Sequence, residues 1–215
     1  MRVKNILFDM DGLLINSEFL SRQIFREILA EFGREISDAQ YREMIGKTLD
    51  SGVAILESFF PDLDCRQLYG EYGRRYFTAV DNGRLTAKPG AQELLDACRD
   101  RGVRCAVASS NIRESVVTCL QKLGLYDYMD VVVHDGMGAR GKPAPDLFLL
   151  AAERLGADKS QTLVLEDSYA GVMAAHAADI PVVVVPDLIP PNEKMLAVAK
   201  ACEASLFDVI PYLDA

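Results

Sequence analysis

Positive charge is in short supply in this chain of 215 residues: 23 lysines and arginines stand against 32 aspartates and glutamates, a formal net charge of -9. Nucleic acid and anionic membrane surfaces are gripped through basic patches, so this balance argues against both as partners. A small anionic ligand stays within reach if positive charge is concentrated locally, for example by a lysine and a metal. Cysteine is sparse and unpatterned. Cys65, Cys98, Cys105, Cys119 and Cys202 are odd in number and form no C-x-x-C pair, which excludes a disulfide frame or zinc site as the organising device and suits reduced thiols. Long apolar runs are lacking as well. None approaches the ~18 residues of a membrane span, and the apolar stretch before Asp9 is too short for a signal peptide. The expectation is a cytoplasmic protein in which nothing demands more than a monomer. Half the residues are apolar and 26% charged, an ordinary globular balance, and the length allows one or two domains.

What is present is a rhythm of short Val-, Ile- and Leu-rich runs, at 3–8, 103–108, 131–133, 162–165 and 182–185. Near-continuous apolar runs of this kind suit strands buried on both faces of a parallel sheet. Helical stretches lie between them, at 90–101, 113–123, 145–155 and 169–178. The alternation predicts a doubly wound, Rossmann-like α/β fold. Residues 17–84 break the rhythm. Leu20, Ile24, Phe25, Ile28, Leu29 and Phe32 repeat at helical spacing after a start at Ser17, and further helical stretches follow at 38–45, 51–59 and 66–77 with no strand among them. The prediction is an α/β core of residues 1–16 and 85–215 interrupted by a helical insert at 17–84. The turn signals Asn82-Gly83 and Pro89-Gly90 mark the return.

Four polar elements stand at the ends of predicted strands, where open α/β sheets bind ligands. Asp9-Met10-Asp11-Gly12 offers two carboxylates and a glycine that permits a sharp turn, so one acid can act as nucleophile and the other as proton carrier. Alone, this pattern equally fits a structural turn, although Leu13 at the third ligand position disfavours a calcium loop. Ser109, Ser110 and Asn111 follow the second strand and suit either a phosphate seat or a helix N-cap. Lys142, in Gly141-Lys142-Pro143-Ala144-Pro145-Asp146, can neutralise a phosphate or lie solvated; Pro143 rules out a P-loop. Glu166 and Asp167 are adjacent acids that would repel each other unless a cation sits between them, and Mg²⁺ suits them, with N-capping by Asp167 as the plainer role. Together the four supply a nucleophile, an acid/base, a phosphate seat, a lysine and a metal carboxylate.

In this order and spacing the motifs resemble those of the haloacid dehalogenase superfamily, in its β-phosphoglucomutase-like phosphatase branch with a helical cap. The resemblance covers essentially the whole chain. It implies a phosphoaspartate formed on Asp9, with Asp11 as acid and base and Ser109 and Lys142 on the phosphoryl oxygens. It also implies Mg²⁺ held by Asp9, the main-chain carbonyl of Asp11 and Asp167, with Glu166 as a ligand or outer partner. Ser110 belongs to the same phosphate seat, and Asn111 and Lys47 become substrate contacts, Lys47 when the cap closes. The acid at position 11 points to phosphoester chemistry, since dehalogenases and phosphonatases lack it. Mutases of the branch carry a histidine and an arginine where Ser21 and Leu49 align here, so water is the expected acceptor. His134 and His176 are expected on a loop and a helix surface, away from catalysis. Asp179 departs from the family's usual glycine. The expected activity is hydrolysis of a small phosphorylated metabolite; a sugar-phosphate mutase and a non-catalytic binder of phosphorylated ligands are the alternatives.

Overall fold

The apolar runs form strands wherever β-branched residues alternate between two covered faces. In a computed structural model that describes residues 2–214, the strands are β1 (Asn5–Phe8), β2 (Arg104–Ile112), β3 (Val131–Asp135), β4 (Thr162–Glu166), β5 (Val182–Val184) and β6 (Ala201–Cys202). They make one sheet in the order β3-β2-β1-β4-β5-β6, and every pairing is parallel. Parallel neighbours need crossovers, and these are α5 (Ala91–Arg101), α6 (Arg113–Lys122), α7 (Asp146–Leu155), α8 (Tyr169–Ala177) and α9 (Glu193–Val198). On one face Leu7, Ala106, Val164 and Val182 pack with Phe148 of α7 and Val172 of α8. Ile6, Phe8, Val107, Leu163 and Val183 alternate to the other face and are equally buried. A sheet covered on both sides explains why its strands read as unbroken apolar runs.

The chain divides into two compact units, Met1–Asn16 with Thr86–Ala215, and Ser17–Leu85. The second holds α1 (Ser17–Glu31), α2 (Asp38–Met44), α3 (Leu49–Phe59) and α4 (Cys65–Asp81). Its helices start on strong caps: Ser37 and Gln40 form a capping box, and Thr48 and Asp64 accept from Ser51 N and Gln67 N. Phe25 of α1 stacks on Tyr72 of α4 at 4.5 Å between ring centroids and meets Tyr69 edge-on at 5.1 Å. Within the α/β unit, the segments leading to and from the helices run side by side. Asn16 N donates to Thr86 O at 2.8 Å, Lys88 N donates to Leu14 O at 2.9 Å, and Ile15 bridges Ala87 antiparallel.

Three differences from the sequence reading have physical causes. Strand β2 runs on to Ile112 instead of ending at 108, with its pairing to β3 shifting register after Ala108, so Ser109–Asn111, expected to follow the strand, lie within its irregular last stretch. His134 sits in β3, not on a loop, because pairing with β2 extends that strand to Asp135. The C-terminal elements α9, β6 and the 3-10 segment Leu206–Asp214 are short, and a two-residue strand has no periodicity to read.

Asp179 closes α8 where glycine is usual. Its φ of 57° is left-handed, and Ile180 N to Ala175 O with Asp179 N to His176 O completes a Schellman motif. That backbone costs an L-residue roughly 1–2 kcal/mol, least for Asp and Asn, while glycine gives back about 0.4–1 kcal/mol through the unfolded chain. Asp179→Gly is therefore expected to stabilise the fold by about 0.5 kcal/mol, seen as a higher urea midpoint. A lower midpoint would mean that the Asp179 side chain contributes more than its backbone strain costs.

Candidate active site

The strand order reverses at β1. From there β2 and β3 lie to one side and β4, β5 and β6 to the other, which opens a crevice at the carboxyl ends of β1 and β4. Register places Phe8 level with both Val107 and Leu165, and Asp9 N extends the ladder to Leu165 O at 3.0 Å. Asp9, just after β1, Glu166, the last residue of β4, and Ser109, in the final stretch of β2, therefore stand at the same end of three adjacent strands. Immediately after Asp9 the chain turns back, with Met10 O accepting from Leu13, Leu14 and Ile15. Gly12 makes the turn at φ 78°, and a Cβ there would meet Asp167 Oδ2 at 2.5 Å, so both its backbone and its lack of a side chain are needed.

Lys142 organises the centre. Its ammonium donates to Asp9 Oδ1 and, at 2.7 Å, to Glu166 Oε1, with the Phe148 ring 4.7 Å away. The lysine side chain is 5% exposed and that of Glu166 is 0%, so this is an ion network taken out of water. The other Glu166 oxygen accepts from Ser168 N at 2.8 Å and Ser168 Oγ at 3.0 Å. Ser168 also caps α8 by accepting from Gly171 N at 3.1 Å. Asn111 Nδ2 donates to Asp11 Oδ2 at 2.8 Å, and Asn111 N donates to Ser109 Oγ at 3.1 Å. Ser109 is buried, while Ser110 and Asn111 are exposed. None of the three caps α6, whose N-cap is Ile112 without a side-chain bond. Asp167 likewise leaves the capping of α8 to Ser168. Lys47 belongs to the helical unit, in the turn between α2 and α3.

Electrostatics follow from packing acids together. Burial pushes the Asp9 carboxyl up, Lys142 pulls it back, and Glu166 and Asp11 add to the rise. Burial also raises Asp167 well above the carboxylate range, helped by Glu166, Asp9 and Asp187. Burial alone would lower the Lys142 ammonium, but Asp9 and Glu166 more than offset it, and it stands above its ordinary value. The excess of acid over lysine and the all-oxygen donor set fit a hard dication such as Mg²⁺. Among the described residues no three Asp, Glu, His or Cys side chains are placed to hold a metal ion.

Sequence reasoning missed Asp187 and Lys88, which pair at 2.5 Å on the edge of this cluster. The signal was present: Pro186-Asp187 follows the fifth strand just as the other acids follow theirs.

Acids and a lysine converging at the switch point of a parallel sheet define an α/β enzyme of the kind that handles a small ligand at its strand ends. The family described as haloacid dehalogenase-like hydrolase matches residues 6–185, and the chain belongs to it. It is 31% identical over 208 residues to the bifunctional riboflavin kinase/FMN phosphatase of Arabidopsis thaliana, covering 95% of this chain and 54% of that protein; it thus spans about half of that relative's length. It is 29% identical over 175 residues to the phosphorylated carbohydrates phosphatase of Thermotoga maritima, covering 81% of each. Crystalline CbbY from Rhodobacter sphaeroides, in complex with phosphate, superposes with a TM-score of 0.78 at 26% identity over 99% of this chain and 100% of that one.

A Cβ at Gly171 would fall 1.5 Å from Glu166 Oε1. Alanine gains up to about 1 kcal/mol of helix propensity over glycine, but forcing atoms into a packed interior costs roughly 1–3 kcal/mol or more. Gly171→Ala is expected to lose about 1–2 kcal/mol net, read as a lower denaturant midpoint; an equal or higher midpoint would mean that Glu166 is free to move.

Proposed function

We propose that the protein is a phosphatase that hydrolyses a small phosphorylated metabolite, a sugar phosphate or similar, through a phosphoaspartate on Asp9. The observation that carries this reading is the buried Lys142 ammonium bound to both Asp9 and Glu166 at the strand-order switch. A lysine so placed holds the Asp9 carboxylate in one orientation and presents positive charge to an arriving phosphoryl group. Asp9 attacks phosphorus, forming the Asp9 O–P bond as the bond to the leaving oxygen breaks. Asp11 gives its proton to that leaving oxygen. In the second half Asp11, now a carboxylate, takes a proton from water as the water oxygen attacks phosphorus, which releases phosphate and restores Asp9. Asn111 orients Asp11 through its amide, and Ser109, Ser110 and Lys142 receive phosphoryl oxygens. Mg²⁺, bound by Asp9, the main-chain carbonyl of Asp11 and Asp167, would offset the charge of the transferring group. Glu166, with both oxygens engaged by Lys142 and Ser168, is better suited to hold Lys142 than to be a metal ligand.

The relatives support the substrate class, one being named for phosphorylated carbohydrates and one crystallised with phosphate. Water is the favoured acceptor over a second sugar phosphate. Ser21 stands where the mutases carry histidine and shares a 2.8 Å hydrogen bond with Tyr72 OH, and Leu49, in place of their arginine, brings no charge. In this reading residues 17–85 act as the cap that sets substrate choice, and Lys47 is its candidate substrate contact.

Purified protein assayed with p-nitrophenyl phosphate is expected to need Mg²⁺ and to stop in EDTA. Asp9→Asn should fall to background, and Asp11→Asn should lose about 10²–10⁴-fold in kcat. Activity that survives Asp9→Asn would sink the nucleophile assignment. Turnover of β-glucose 1-phosphate that needs a bisphosphate activator would move the reading to a mutase.

A further inference from the structure

The loop after β5 carries an acid that the proposed mechanism does not use. Asp187 is 6% exposed and pairs through Oδ1 with Lys88 Nζ at 2.5 Å. Among the described residues, its second oxygen, Oδ2, is buried without a hydrogen-bond partner. Buried carboxylate oxygens are normally satisfied, so one that is not asks for an explanation. Its direction supplies one. The point that a Cβ on Gly12 would occupy lies 2.5 Å from Asp167 Oδ2 and 3.1 Å from Asp187 Oδ2, so the two oxygens converge above the same glycine, beside the Asp9–Asp11 turn.

We propose that Asp187, held by Lys88, is a positioning residue of the cation pocket: it lends negative charge across Gly12 to Asp167 and to the Mg²⁺ that Asp9 and Asp167 would bind. This rests on the metal reading above and adds to it a residue outside the four motifs. Lys88 satisfies Oδ1, and the burial of the unpartnered Oδ2 is accounted for if a dication is its partner. Lys88 has a second part in the arrangement. It lies on the segment paired with residues 14–16, the return path from the helical unit, and so ties that path to the charge of the pocket. The plainer alternative is a neutral ion pair that only fastens this segment to the β5 loop.

The two readings separate on metal affinity measured without turnover. Mn²⁺ serves as the probe, being an oxygen-preferring ion like Mg²⁺, with free ion counted by its electron paramagnetic resonance. Asp187→Asn should weaken binding about 10-fold. Lys88→Gln keeps a donor to Asp187 but removes the opposing charge, and should tighten binding. The decisive protein is the double variant. If Asp187 faces the cation, Asp187→Asn with Lys88→Gln stays weaker than wild type; if the pair is a neutral fastener, it returns to wild-type affinity and the proposal fails. Unchanged affinity in Asp187→Asn alone would also overturn it. Should that variant not fold, Lys88→Gln decides by itself, with tighter binding in support and equal or weaker binding against. Wild-type protein that takes up no Mn²⁺ would overturn the metal reading together with this one, whereas wild-type uptake with insensitive variants would overturn only the role of Asp187.

Discussion

A lysine ammonium held out of water between two carboxylates is the constraint around which the rest of the α/β unit is arranged. Moving charged groups from water to a protein interior costs several kcal/mol per ion, on the order of 20 in the idealised limit, and Lys142, Asp9 and Glu166 meet that cost together. Removing one partner from such a network typically costs about 3–5 kcal/mol, because the others stay buried and unpaired. The fold answers this demand locally. Glu166 has its remaining oxygen bound by Ser168, Gly171 leaves room for its carboxylate, and Phe148 offers the face of its ring to the ammonium. Ser168 and Gly171 follow Glu166 directly at the start of α8, Phe148 comes from α7, and the parallel register of β1 with β4 sets Asp9 beside Glu166. The energy that holds the network is the apolar burial of the sheet, not the network itself. A designer seeking stability alone would fill this place with leucines.

That reasoning bears on what the sequence can reveal. Strands and crossover helices were legible because a doubly covered parallel sheet writes a simple signal, a short apolar run followed by a helical repeat. The motifs were legible because catalysis needs polar residues at strand ends, where the apolar pattern stops. Short elements were not. The two residues of β6 are held by Val183 and Val184 of a neighbouring strand, and only the folded sheet states that. The full length of β2 was hidden for a related reason: the apolar run stops at 108, yet pairing with β3 resumes beyond the polar residues at Ile112. Asp187 escaped notice because Pro186 ended the apolar run and drew attention as a boundary, and because its partner Lys88 lies 99 positions away.

Net charge also takes on meaning at the site. A chain at -9 that, as proposed, binds phosphate esters must place its positive charge narrowly. Here arginines are spent on the surface of the helical unit, where Arg75 pairs with Glu31 and Glu71, and Arg84 with Glu27. Exposed pairs of this kind contribute about 0–1 kcal/mol each and offer no anion seat, because their donors are already occupied. In the α/β unit the strand ends hold Asp9, Asp11, Glu166, Asp167 and Asp187 against Lys142 and Lys88. An acid excess repels phosphate unless a dication reverses the local sign. In the proposed mechanism metal and substrate binding would thereby be coupled: the carboxylates that repel anions on their own would attract them once a dication is bound.

Division of labour follows from where rigidity is placed. The proposed chemistry lies on strand ends inside one unit, fixed by backbone ladders and buried packing, because an in-line attack tolerates little displacement. The helical unit is built on different terms. Its core is a cluster of aromatic rings, Phe25 with Tyr41, Tyr69 and Tyr72, closed by side-chain caps and surface ion pairs, and it contributes neither proposed acid. Such a unit can change its loops and surface without disturbing Asp9 or Lys142. Ser21 anchors α1 to α4 through its bond with Tyr72, at the position where the resemblance sets a histidine in the mutases. In the proposed reading, substitutions there would change which ester is accepted and which acceptor follows, while the proposed phosphoryl-handling groups stay as they are.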